Sequence, residues 1–307
     1  MVRVKQFRLV AVWIATAAVA PTFNADDMVY RKTVESWRRK QEAALQADDG
    51  WLTVAGLFWL KEGANRAGAD PSNDIVLPAG SVPGRVGVFQ FSRGQTIFQV
   101  ETGVKVTIND RPVTTVELKP DVPGPPDVIA IGDLKMYVIQ RGNRYGIRLR
   151  DKNSKLRREF TGLGWFPVRE SLRVRARFVP YDPPKLISIP NLLGDTEKLP
   201  SPGYAVFTLD RRQHRLEPVE SGDTELFFIF KDLTSGKETY PAGRFLYTEM
   251  PRHGEVILDF NKARNPPCAY TPFATCPLPP RQNHLPARME AGETYHAAAH
   301  GSSLVGH

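Results

Sequence analysis

Residues 259–280, DFNKARNPPCAYTPFATCPLPP, limit what this chain can fold into more than any other stretch does. Repeated prolines fix φ and remove backbone donors, so the run can be neither a helix nor a central strand. It must be a stiff, irregular loop that displays Asp259, Asn261, Lys262, Asn265 and Tyr270. Loops held in that way are where binding and catalytic groups tend to sit. Both cysteines of the protein, Cys268 and Cys276, lie in the same run.

The 307 residues allow one large or two ordinary domains. A hydrophobic content of 41% is enough for a real core. The 26 prolines and 24 glycines are dispersed, which suits many short strands joined by turns. A net charge of +8 admits an anionic partner. It fits equally a soluble basic protein whose charges are interspersed.

Residues 1–25 read as an export signal. Arg3, Lys5 and Arg8 form a positive start, and residues 9–20 are apolar but too few to span a bilayer comfortably. An uncleaved amino-terminal anchor is the other reading. The expectation is a periplasmic or secreted protein with no membrane contact once the signal is cleaved.

Residues 29–47 read as one helix, with Val34, Trp37, Gln41 and Leu45 on one face. Elsewhere the period is mostly two. Short strands are expected over 52–60, 75–77, 86–91, 96–100, 104–108, 128–131, 135–140 and 145–150. Turn signals at 92–94, 109–112 and 141–143 separate several of them. A second set follows Trp165. Residues 171–178 alternate strictly, with Arg173, Arg175 and Arg177 on one face. Residues 180–202 read as a proline-rich connection, followed by strands at 204–210, 226–231 and 255–260. Residues 226–230 are apolar on both faces and should be central in their sheet. The expected segments are a signal at 1–25, a helix at 26–50, a β-sandwich at 51–160, a second β half at 161–296 and a disordered tail at 297–307.

Two resemblances bear on this layout. Residues 63–78, GANRAGADPSNDIVLP, resemble the start of a forkhead-associated domain, the phosphothreonine-binding β-sandwich. Asn73-Asp74-Ile75 matches its motif, but Ala69 stands where the phosphate-contacting arginine would be. The resemblance therefore implies a small sandwich and gives phosphopeptide binding no support, since the charge-assisted contact is missing. Three blocks together resemble a bacterial family known as domain of unknown function 1684: residues 50–60 (GWLTVAGLFWL), residues 242–246 (AGRFL), and Asp259 to Ala263 with Asn265 to Thr271. This implies a mostly-β architecture and no mechanism.

Cys268 and Cys276 read as a disulfide in an exported chain. Such a bridge would stabilise by about 2.5 kcal/mol on the chain-entropy model. Free thiols, a metal site completed by His284, or a catalytic thiol are the rivals. Asp259, Asn261 and Lys262 in tandem could bind a polar ligand or fix their own loop. Arg244, beside Leu246 on an inward strand face, needs a carboxylate or an anionic ligand, and Asp259 is the candidate partner. Glu290 and Glu293 could act as paired acids, as any two acids could. His296 and His300 have metal-ligand spacing if helical, but lie in an alanine-rich tail. No hydrolase elbow, zinc-protease motif, P-loop or dinucleotide fingerprint is present.

The reading is a mostly-β protein: an amino-terminal helix, a small sandwich, then a second sheet or partly closed barrel capped by the cysteine loop. The favoured function is a non-enzymatic binding or structural module for a small polar or anionic ligand, with neither cofactor nor metal. Its site would comprise Arg244, Asp259, Asn261, Lys262, Asn265 and Tyr270. The alternative is a hydrolase-like or transferase-like enzyme using Asp259 with Lys262 or Arg244. A nucleic-acid surface would require the arginine stripe to be exposed and continuous with Arg148 and Arg150.

Overall fold

The computed structural model describes residues 25–295; the signal-like segment and the tail with His296 and His300 lie outside the described residues. The chain is mostly β, with one long helix, Ala25–Gln46, at its start. Two sandwiches follow. In the first, a six-stranded sheet runs in the order Val54–Trp59, Arg144–Asp151, Leu134–Arg141, Ile129–Ile131, Thr107–Ile108 and Arg111–Pro112. It faces a five-stranded sheet made of Ile75–Val76, Gly63–Gly68, Gly87–Ser92, Gln95–Val100 and Thr115–Leu118. The core between them draws Phe89, Phe98 and Leu118 from one sheet and Ile129, Met136 and Ile147 from the other.

The hairpin chemistry matches the turn signals. Ile108 pairs with Arg111 across Asn109 and Asp110, whose φ angles are 50° and 63°. Two left-handed residues make the turn whose twist suits a two-residue hairpin, and Asn and Asp tolerate that conformation.

The second sandwich packs a four-stranded sheet (Arg212–Leu216, Thr196–Leu209, Arg173–Pro190, Glu255–Asp259) on a three-stranded one (Val219–Ser221, Glu225–Phe230, Arg244–Glu249). These sheets face each other and do not close into a barrel. Phe228, Phe230 and Leu246 meet Ala176, Phe207 and Leu258 in the core. The other face of the three-stranded sheet is covered as well. Ile229 and Phe245 pack there against Cys268, Ala274 and Cys276 of the proline-rich hook. Residues 226–230 are apolar on both faces because Glu225–Phe230 is the middle strand of a sheet covered on both sides.

The stretch 180–202 is corrected. It is a long antiparallel hairpin in which Lys185–Pro190 pairs with Thr196–Ser201, after an irregularity between Pro180 and Lys185. Its prolines are tolerated because they fall near that break and along exposed positions where the lost N–H costs little.

The helix seals the second sandwich. Val34 is fully buried, and Trp37 meets Trp165 edge-on with ring centroids 5.9 Å apart. The Tyr30 hydroxyl donates to Asp259 Oδ1 at 2.6 Å, and Glu42 Oε1 accepts from Trp165 Nε1 at 3.1 Å. Arg141 Nε, from the first sandwich, donates to Thr275 Oγ1 at 2.9 Å and ties the hook to that half.

Candidate functional site

Arg244 is fully buried, and its partner is Asp232, not Asp259. Hairpin register explains this. Phe230 pairs with Arg244, so Asp232, in the turn just beyond, falls beside the guanidinium. Arg244 also donates to the carbonyls of Met289 (2.9 Å) and Ala291. Asp232 Oδ1 meanwhile accepts from the Thr234 N–H at 2.7 Å and from its hydroxyl at 2.6 Å. Arg244 is therefore a bolt holding the carboxyl-terminal segment to the sheet, and it lines neither cavity described below.

Asp259 closes its strand at a short turn, Phe260–Lys262. Its Oδ1 accepts from Tyr30, and its Oδ2 lies 3.4 Å from Lys262 Nζ. Burial and the neighbouring carboxylate push the Tyr30 hydroxyl far above its usual range, so it stays a donor. Asn261 is fully buried; its Oδ1 accepts from the Arg169 N–H at 2.9 Å, and its Nδ2 donates to the Arg169 carbonyl at 2.8 Å. These two residues fasten the helix and the 169 segment to the hook.

The six expected site residues therefore do not form one site. Asp259 and Lys262 line a groove of about 760 Å³ that also carries Arg173, Arg175, Glu249 and Glu255. Asn265 and Tyr270 line a different cavity of about 390 Å³. Gln41, Tyr247 and Arg264 form the wall shared by the two.

The smaller cavity has the more distinctive chemistry. Trp51, Phe227, Phe245 and Tyr247 supply aromatic walls, and Leu45 and Leu163 extend them. Glu293, only 1% exposed, lies at its polar end. Three donors hold that carboxyl: the Asn265 N–H (2.9 Å), Asn265 Nδ2 (2.9 Å) and the Tyr270 hydroxyl (2.6 Å). Burial raises the acid to about 7; those hydrogen bonds and the charge of Arg264 pull the other way. The Tyr270 hydroxyl is pushed well above its usual value by burial and by Glu293.

Arg264 is the second pole. Its Nη1 donates to Gln41 Oε1 at 2.6 Å, and its guanidinium lies 4.8 Å from the Tyr247 ring centroid. Among the described residues it makes no ion pair: no carboxylate oxygen lies within 4.0 Å of it. Sequence reasoning missed Arg264 although it stands between two quoted residues, because nothing in its spacing marks it. It treated Glu293 as one acid among many. Glu290 is a separate group that pairs with Arg288 at 3.0 Å.

The remaining candidates resolve simply. Arg173, Arg175 and Arg177 are exposed, and Arg175 pairs with Glu255 at 2.9 Å. Arg148 is 3% exposed and lies 5.3 Å from the Trp51 ring centroid, so the stripe does not continue into a basic surface there. Cys268 and Cys276 meet with Cα atoms 6.3 Å apart, each sulfur accepting the other residue's N–H.

Residues 158–294 match the model of a family described as "Protein of unknown function (DUF1684)". The second half of the chain belongs to that family. The match contains the hook with Arg264, Asn265 and Tyr270, and Glu293, whereas Gln41, Arg141 and the block at 50–60 lie outside it. Among solved structures, an uncharacterized protein of Haloarcula marismortui is 33% identical over 45% of this chain and 78% of its own, with a TM-score of 0.38. The FhaA forkhead-associated domain, crystallised with the intracellular domain of Rv3910, is 20% identical over 31% of this chain and 97% of its own, with a TM-score of 0.23. A forkhead-associated domain from a study of phosphothreonine-dependent interactions gives 20%, 31%, 92% and 0.23. No curated protein matches the chain.

Glu293 makes the fold sensitive to pH. Its folded value of about 7 lies above its ordinary 4.5, so the folded protein holds the proton more tightly. Stability from this group is therefore full below about pH 4.5 and is lost as pH rises through 7. The loss is on the order of 3 kcal/mol at most. Glu293→Gln should be weaker at every pH, because the Asn265 N–H loses its acceptor, yet should lack this slope between pH 5 and 8. Urea unfolding across that range checks it, and equal slopes in the two proteins would contradict the assignment.

Proposed function

We propose that this protein is a non-enzymatic binding module that takes a small organic anion in the cavity between the helix, Trp51 and the hook. One observation carries the reading: Arg264 is held by Gln41 and Tyr247 in an aromatic-walled cavity and makes no ion pair within 4.0 Å among the described residues. A guanidinium fixed in orientation but not engaged in a close ion pair suits a carboxylate or similar anion, which it can bind through paired hydrogen bonds. The aromatic walls suit an apolar body, and about 390 Å³ falls in the range of small-molecule sites. The engagement of Asp259 by Tyr30 and Lys262 favours this reading over the enzymatic alternative.

The test uses 3-phenylpropionate and its neutral amide. The acid should raise the melting temperature in a saturable way and the amide should not. Arg264→Gln should weaken binding by about tenfold or more, the worth of a charge-assisted hydrogen bond. Equal binding of acid and amide, or an unaffected variant, would contradict the reading.

We further propose that the protein is exported and that Cys268 and Cys276 are oxidised. The signal-like residues 1–25 and the contact between the two cysteines support this. The intact mass of protein from the producing cell should lack the leader and fall short of the dithiol form by two hydrogens. A full-length mass with two alkylatable thiols would refute it.

A further inference from the structure

The cavity has an acceptor pole as well as a cation. Asn265 is 3% exposed and lines the cavity. Its Nδ2 is committed to Glu293 Oε1 and to the Thr294 carbonyl at 3.0 Å, so the amide cannot turn over without facing two acceptors with an oxygen. That orientation leaves Asn265 Oδ1 buried with no hydrogen-bond partner among the described residues. A buried unpaired acceptor is destabilising, and a donor brought by a ligand removes that cost. Glu293 adds a carboxyl with lone-pair capacity to spare, since among the described residues only the Asn265 N–H reaches its Oε2.

Both poles line the same cavity. Arg264 precedes Asn265 directly, and its charge is felt at Glu293. A ligand that satisfies both must carry an anion and a hydrogen-bond donor, preferably cationic, on neighbouring atoms, with an apolar group attached. We propose that the cavity binds a free α-amino acid with an apolar or aromatic side chain. The carboxylate lies on Arg264, the ammonium lies between Asn265 Oδ1 and Glu293, and the side chain lies against Trp51, Phe227 and Phe245. The ammonium donates to Asn265 Oδ1 and offsets the charge of Glu293. A carboxylate lacking the amine leaves both unanswered. This inference rests on the anion-binding reading above.

The experiment compares L-phenylalanine, 3-phenylpropionate, N-acetyl-L-phenylalanine and L-phenylalaninamide by calorimetry on the full chain. L-Phenylalanine should bind about tenfold tighter than 3-phenylpropionate, as expected for a charge-assisted bond and a rescued acceptor. Both capped forms should lose that advantage. Asn265→Ala should reduce the preference for L-phenylalanine over 3-phenylpropionate to within about twofold; if that variant does not fold, the ligand series decides alone. Tight binding of 3-phenylpropionate with none of L-phenylalanine would overturn the amino-acid assignment and leave the anion site standing. Binding of L-phenylalaninamide as tight as that of the free amino acid would overturn both.

Discussion

The buried guanidinium of Arg244 organises this molecule. A charge taken fully out of water must find a counter-charge and acceptors for its remaining donors. Asp232 supplies the first, and the carbonyls of Met289 and Ala291 help supply the second. Those carbonyls belong to a segment with no regular secondary structure. Arg244 therefore does for residues 289–291 what a neighbouring strand would do elsewhere. Glu293 follows two residues later and is delivered to Asn265 and Tyr270. Replacing such a pair with apolar groups is often neutral for stability, so its value here lies in register: it selects one position for an otherwise irregular chain.

The helix supplies the other half of the site. Tyr30 reaches Asp259, Gln41 reaches Arg264 and Glu42 reaches Trp165, all from a single helix. The first two contacts fix the hook from outside, while Arg244 holds the segment that follows it. Polar residues that looked like ligand groups in the sequence, Asp259 and Asn261 above all, are used up in this docking. Arg264 is held by the same helix and keeps no ion-pair partner among the described residues, which is why it becomes the functional candidate.

Much of the architecture could be read from the chain. Alternation with Gly, Asn and Asp turns located most strands of the first sandwich, but Gly63–Gly68 and Thr115–Leu118 were missed. The two-sided apolar run at 226–230 announced a central strand, and the prolines at 259–280 announced the hook. The hairpin through 180–202 was hidden because proline argues against strands in general, whereas what matters is whether a given N–H would face a partner. Asp232 could have been found by counting pairs back from Arg244 along the hairpin. Glu293 could not: its role comes from a contact across 28 residues of irregular chain, and nothing local separates it from Glu290.

Hydrogen exchange in Arg244→Met/Asp232→Asn tests most directly whether the buried pair positions the site. The double variant removes both charges while keeping an acceptor for Thr234. The Glu293 N–H, which donates to the Ala263 carbonyl at 2.8 Å, should exchange at least about tenfold faster. The amides of Leu134–Arg141 in the first sandwich should be unchanged. A folded double variant in which Glu293 keeps its full protection would contradict the account.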